Sequence, residues 1–155
     1  MFAWLENTPV ALWVGGSLWG YPLLLACHAI GLAVVVGIFA MRDMRLLGLF
    51  PGLQPAAFLQ LGKLGWMGFV VNAISGILLF TSQAVTFVNN TAFLIKISCI
   101  IAGMVMAGII QSRLRGELAA AKGTVVIRNS TKVIAALSLC LWASAIIAGR
   151  LIAYL

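Results

Sequence analysis

The sequence predicts an all-α membrane protein: a four-transmembrane-helix antiparallel up-down bundle preceded by a short N-terminal interfacial helix. Three observations carry this. Of 155 residues, 63% are hydrophobic and only 8% are charged, against about 45–50% and about 25% in a soluble domain. Four separate stretches approach the roughly 20 apolar residues that a membrane-crossing helix needs. No strand-like alternation runs through them, and backbone groups in lipid must be satisfied within the segment, which leaves helices. The same arithmetic excludes a disordered chain, and three cysteines are too few for a disulfide scaffold.

The elements follow in chain order within one integral membrane domain, 1–155. Residues 1–18 lack a basic leader and a cleavage pattern, so they are not read as a signal peptide. Thr8-Pro9 has the form of an N-cap followed by proline at the first helical position. Val10 to Val14 then form a short helix that Gly15-Gly16 ends, and Trp4, Trp13, Trp19 and Tyr21 crowd around it. Tryptophan and tyrosine favour the headgroup level, so this segment is placed flat on the membrane. The spans follow at about 21–40, 64–80, 92–110 and 133–154, the second with Pro55 to Gln60 as an initiating turn.

Ten Lys+Arg against three Asp+Glu give a net charge of +7. In a soluble domain that balance suggests nucleic acid; here it reports topology. The first loop, 41–63, holds Arg42, Arg45 and Lys63, and the third, 111–132, holds Arg113, Arg115, Lys122, Arg128 and Lys132. The second loop, 81–91, holds no charge. The positive-inside rule puts loops one and three in the cytoplasm and both termini outside.

Polar groups inside a membrane are costly, so each one marks a candidate site. His28 lies seven residues past Tyr21, roughly 10 Å below the interface at 1.5 Å per residue. Lys96 lies near the outer end of the third span, Arg150 near the outer end of the fourth, and Asn72 and Ser75 at middle to outer depth of the second. The carboxylates Asp43 and Glu117 are read as loop groups on the other side. Two cations beside a lone histidine, with no acid in any span, describe a site awaiting an anion. A b-type haem fits: His28 as axial iron ligand, Lys96 and Arg150 on the propionates, Asn72 nearby, and Gly31 leaving room on the face of His28. One histidine per chain leaves the sixth position open, or filled by Met104, Cys99, a backbone group or His28 of a second copy. No CxxCH is present, which excludes covalent c-type haem. The bland readings are snorkelling for Lys96 and Arg150 and helix-to-helix hydrogen bonding for His28, Asn72 and Ser75. Cys27, Cys99 and Cys140 read as small hydrophobes.

The pieces HAIGLAVVVG (28–37), DMRLLG (43–48), SGILLF (75–80), NNTAFLIK (89–96) and GRLIAY (149–154) together resemble a bacterial family of small four-span inner-membrane proteins, a domain of unknown function. The resemblance covers nearly the whole chain and rests on the order and spacing of these short motifs. It implies a multi-pass protein of the bacterial inner membrane, and it implies that His28, Lys96 and Arg150 are characteristic positions. Some relatives carry a histidine at the inner end of the third span, where this chain has Gln111-Ser112-Arg113.

Two functional expectations follow. One is an electron-transfer module holding haem b, working between a membrane quinone and an outside redox partner. The alternative is a non-catalytic accessory or small transport subunit with an anion or lipid-headgroup site. No Ser-His-Asp set, phosphate loop or zinc spacing is present, so the chain is not expected to be an enzyme by itself. The lipid bilayer is the expected partner, nucleic acid is not, and the small residues in the spans favour a homo-oligomer or a membrane complex.

Overall fold

The computed structural model describes residues 2–121 and 126–154; Lys122, counted above among the loop charges, lies outside them. The described chain forms helices α1 (Ala3–Glu6), α2 (Pro9–Gly16), α3 (Gly20–Leu46), α4 (Ala57–Thr81), α5 (Ala84–Asn89), α6 (Thr91–Ala120) and α7 (Asn129–Leu151). Four of them, α3, α4, α6 and α7, are long and apolar enough to cross a membrane. Hydrophobic side chains such as Ile30, Ile74, Ile101 and Val133 are more than half exposed on the outer surface of the bundle. Such a belt is stable only against lipid.

The helix ends follow from local chemistry. The Thr8 hydroxyl accepts from Ala11 N at 3.3 Å, with Pro9 at the first helical position. At the end of α3, Gly48 takes φ +100°. Leu49 N reaches Met44 O and Gly48 N reaches Arg45 O, each at 3.1 Å. That pair of bonds is the Schellman ending, which needs a left-handed residue and so favours glycine. Asn90 caps α6 by accepting from Phe93 N at 3.0 Å.

The bundle is built from two antiparallel pairs. Helix α3 packs along α4, α6 packs along α7, and the pairs join where α3 meets α7. Glycines set the close approaches. A Cβ on Gly31 would lie 2.9 Å from Asn72 N and 3.0 Å from Gly68 O, so α3 and α4 touch backbone to backbone. Gly65 lies under the Phe39 ring and Gly103 under the Trp142 indole. Phe39 and Trp142 stack at 6.1 Å in the core with Val35, Met104 and Ala107. A second cluster, around Leu46, Phe58, Ile110, Leu114 and Ala135, fills the opposite end from His28. Helices α4 and α6 approach each other closely at few places: Gln111 Nε2 donates to Phe58 O and Leu59 O at 3.3 and 3.2 Å toward one end, and Phe80 stacks on Phe93 at the other.

Two features depart from the sequence reading. Helix α3 runs past residue 40 to Leu46, so Arg42 and Asp43 are helical and fully buried, not loop groups. Helix α6 likewise runs to Ala120 and carries Glu117 within it. The hydropathy window stops where charge begins, but the helix continues because Arg42 and Asp43 neutralise each other. The uncharged second loop contains a helix of its own, α5, joined to α1 by Glu6 Oε1, which accepts from Val85 N at 2.8 Å.

Candidate functional site

His28 sits two turns into α3, where its ring meets α4. Nδ1 lies 3.0 Å from Asn72 O and 3.3 Å from Ser75 Oγ. The Ser75 hydroxyl donates its own proton to Val71 O at 2.7 Å. Both neighbours of Nδ1 are therefore acceptors, which places the imidazole proton on Nδ1. Asn72 returns the contact: its Nδ2 donates to His28 O at 2.8 Å. The result is a reciprocal clasp between α3 and α4, with Asn72 and Ser75 both buried. Interhelical bonds of this kind contribute about 0.6 kcal/mol each in membrane bundles.

With Nδ1 so committed, Nε2 keeps its lone pair and has no partner among the described residues. The ring lines a cavity of about 570 Å³ bounded by α3, α4, α5 and α6. This is within the range of roughly 300–1,000 Å³ typical of small-molecule sites. Gly76 makes room at the ring: a Cβ there would lie 2.9 Å from His28 Cε1. The remaining wall is apolar and aromatic, with Phe69 from α4 and Ile97, Ile100 and Ile101 from α6.

Among the described residues, Lys96 is the only charged one lining this cavity. It is half-buried, and its stem crosses α7 at Gly149, where a Cβ would meet Lys96 Cδ at 3.4 Å. The single ion pair among the described residues is elsewhere, so the Lys96 ammonium has no acidic partner.

His28, Asn72 and Lys96 thus come together on one cavity. Gly31 does not line it; its missing side chain serves the α3/α4 contact one turn away. Arg150 lies at the same end of the bundle but is exposed and turned away. Its Nη2 donates to Tyr154 Oη at 3.2 Å, with the guanidinium 5.6 Å over that ring. Neither Cys99 nor Met104 lines the cavity.

The sequence reading missed the roof. Phe80, Phe87 and Phe93 stack nearly parallel, with centroids 5.2 to 6.3 Å apart, and Phe2 meets Phe80 edge-on at 6.4 Å. Asn90 Nδ2 donates to Ile152 O at 3.4 Å and ties α6 to the end of α7. The spacing of Phe87 and Phe93 across a loop of no obvious periodicity concealed them.

A second polar centre lies toward the opposite end. Arg42 Nε donates to Asp43 Oδ1 at 2.8 Å and Nη2 lies 2.7 Å from the same oxygen. Nη1 donates to Ala107 O at 3.1 Å, and the guanidinium stands 5.0 Å over Phe39. Asp43 Oδ2, Ser138 Oγ and Trp142 Nε1 are buried there without a hydrogen-bond partner among the described residues. Among the described residues no three His, Cys, Asp or Glu side chains converge, and His28 is the one residue of these types among them that lines the cavity, with the Tyr21 phenol also on its wall.

Comparison with protein-family models, curated proteins and solved structures returned no match. No family is identified, and the cavity is interpreted from its own geometry.

Proposed function

We propose that the cavity holds a b-type haem on His28 and that the chain is an electron-transfer module of the membrane. The observation that carries this reading is the His28 tautomer: Nδ1–H is held by Asn72 O, and the free Nε2 belongs to an apolar cavity whose one charge is a cation. An axial histidine is held in this way, with its other nitrogen donating to a backbone carbonyl. Bound there, the iron supplies one-electron chemistry between a membrane quinone and an outside redox partner. The residues do the rest. Asn72 and Ser75 hold the imidazole in one tautomer and one orientation. Lys96 neutralises a propionate. The Phe80, Phe87 and Phe93 stack shields the cavity from water, and Gly76 keeps space beside the ring. Arg150 serves a second carboxylate only after leaving Tyr154. Tyr21 also lines the cavity, and tyrosine is a residue type that holds haem iron in other proteins, so the spin state of the bound haem would tell a site that uses His28 alone from one that also engages Tyr21.

The test is the absorption spectrum of protein purified from cells supplied with haem. A Soret band that His28→Ala abolishes is expected. Absence of any Soret band in the wild type refutes the reading.

The alternative, an accessory or small transport subunit with an anion or lipid-headgroup site, is favoured by one observation. Lys96 has no acidic partner among the described residues, and its cavity lies where α4 and α6 part. Anionic lipid is attracted to such a cation as readily as a propionate is. Native mass spectrometry that finds a retained anionic lipid, lost in Lys96→Gln, with no Soret band, would establish it. In either case the cations Arg45, Arg113, Arg115, Arg128 and Lys132 cluster at the far end from His28. That supports an inner-membrane orientation with the cavity in the outer leaflet.

A further inference from the structure

We infer that the cavity is filled sideways from the bilayer, through the gap between α4 and α6, and that its occupant is a membrane-dissolved amphiphile with an anionic group. This deepens the haem reading, since haem is such a molecule, and it rests on that reading for the identity of the occupant alone.

Three observations place the opening. First, α3/α4 and α6/α7 pack along their lengths and α3 also meets α7, whereas α4 and α6 meet toward their ends, where Gln111 Nε2 donates to Phe58 O and Leu59 O and where Phe80 stacks on Phe93, with few close approaches between. Second, four side chains that line the cavity are also exposed apolar residues: Ile77 at 64%, Ile101 at 61%, Leu25 at 48% and Ile97 at 38%. A residue that faces the cavity and the outside together stands at its mouth. Leu25 belongs to α3, Ile77 to α4, and Ile97 and Ile101 to α6, so three of the four flank the α4/α6 gap and place the mouth there, facing the hydrocarbon. Third, the ends are shut. The stacked Phe80, Phe87 and Phe93 close the end nearer the helix termini, and the Phe39, Met104 and Trp142 core closes the depth below.

The chemistry of the occupant follows from the wall. An opening rimmed by isoleucine in hydrocarbon admits an apolar body and rejects a hydrated ion, because no group at the rim replaces its water. Inside, the polar positions are few: Lys96 for an anionic group and His28 Nε2 for a metal or a hydrogen-bond donor. A molecule matched to both has a large apolar body and a carboxylate or phosphate at one end. A free inorganic anion does not fit this route.

The experiment uses the purified protein in liposomes, with haem dissolved in the membranes, and follows the growth of the Soret band. Ile101→Trp, at the mouth, is expected to slow uptake several-fold. Val105→Trp, one turn further along α6 and 55% exposed but not part of the cavity wall, is expected to leave it unchanged; equal rates in both variants overturn the inference. If the wild type binds no haem, the haem reading fails and the access route is tested separately with a photoactivatable diazirine fatty acid in the same membranes. Labelling of the interior residues Ile100 and Phe93 that Ile101→Trp suppresses supports lateral access. Absence of label at these positions, with label on exposed Val105 as the positive control, overturns it.

Discussion

Replacing Gly31 with alanine tests how the α3/α4 contact builds the candidate site. The added Cβ would lie 2.9 Å from Asn72 N, 3.0 Å from Gly68 O and 3.1 Å from Asn72 Cα. All three are backbone atoms, so no side chain can swing away; the helices themselves must part. Restoring ordinary contact requires a separation of roughly 0.5 Å, which takes a hydrogen bond of normal length to the edge of its range. The bonds at risk are adjacent: His28 Nδ1 to Asn72 O at 3.0 Å and Asn72 Nδ2 to His28 O at 2.8 Å. Overpacking costs about 1–3 kcal/mol, and the two interhelical bonds add about 0.6 kcal/mol each. The helix preference of alanine over glycine offsets up to about 1 kcal/mol. With that offset in full, the expected net loss is roughly 1–3 kcal/mol. The internal control is Gly37→Ala on the same helix, where nothing lies within 4 Å of the new Cβ; it should be neutral or slightly stabilising. Unfolding in mixed micelles of increasing SDS fraction, followed by circular dichroism, measures both. If Gly31→Ala unfolds at the same SDS fraction as Gly37→Ala, the backbone contact does not hold the helices and this account of the clasp is wrong.

Three further outcomes are expected. Arg42→Ala leaves Asp43, which is 0% exposed, buried without its cation and should cost about 3–5 kcal/mol. Arg42→Met combined with Asp43→Leu should recover most of that in the same titration, and a double variant as unstable as the single one would contradict the ion-pair assignment. Gly76→Ala pushes on His28 Cε1 from 2.9 Å and should weaken whatever His28 holds while leaving stability nearly intact, since the flexible ring absorbs the strain; a Soret band or lipid occupancy unchanged from wild type would count against the assignment of Gly76. In a background lacking Cys27, Cys99 and Cys140, a cysteine at Asn89 should react with a membrane-impermeant reagent from outside the cell and one at Ser112 should not. The reverse pattern would invert the orientation, and reaction at both would undo the four-span arrangement.

The four membrane-crossing helices were legible because burial in lipid demands long runs of apolar residues, and such runs are visible without any tertiary information. Thr8-Pro9 declared the start of α2 because capping is a local hydrogen bond. The depth of His28, Asn72 and Lys96 followed from counting residues along helices of known rise, and these three do share a cavity. Counting along a helix reports depth but not azimuth. That is why Arg150, at the right depth, turns out to face Tyr154, and why Gly31 serves a helix contact instead of the cavity wall. The buried Arg42–Asp43 pair was hidden for a related reason: a hydropathy window registers each charge as a cost, and only the folded arrangement brings one against the other with Phe39 and Ala107 O around them. Composition and periodicity by themselves determined the class of the protein, its helices and the level of its polar residues, because lipid imposes those constraints on each helix separately. Which faces meet, which nitrogen of His28 is left free, and the gap between α4 and α6 were decided only by the tertiary structure. Those properties depend on how small residues on different helices let backbones approach, and no single stretch of sequence contains that information.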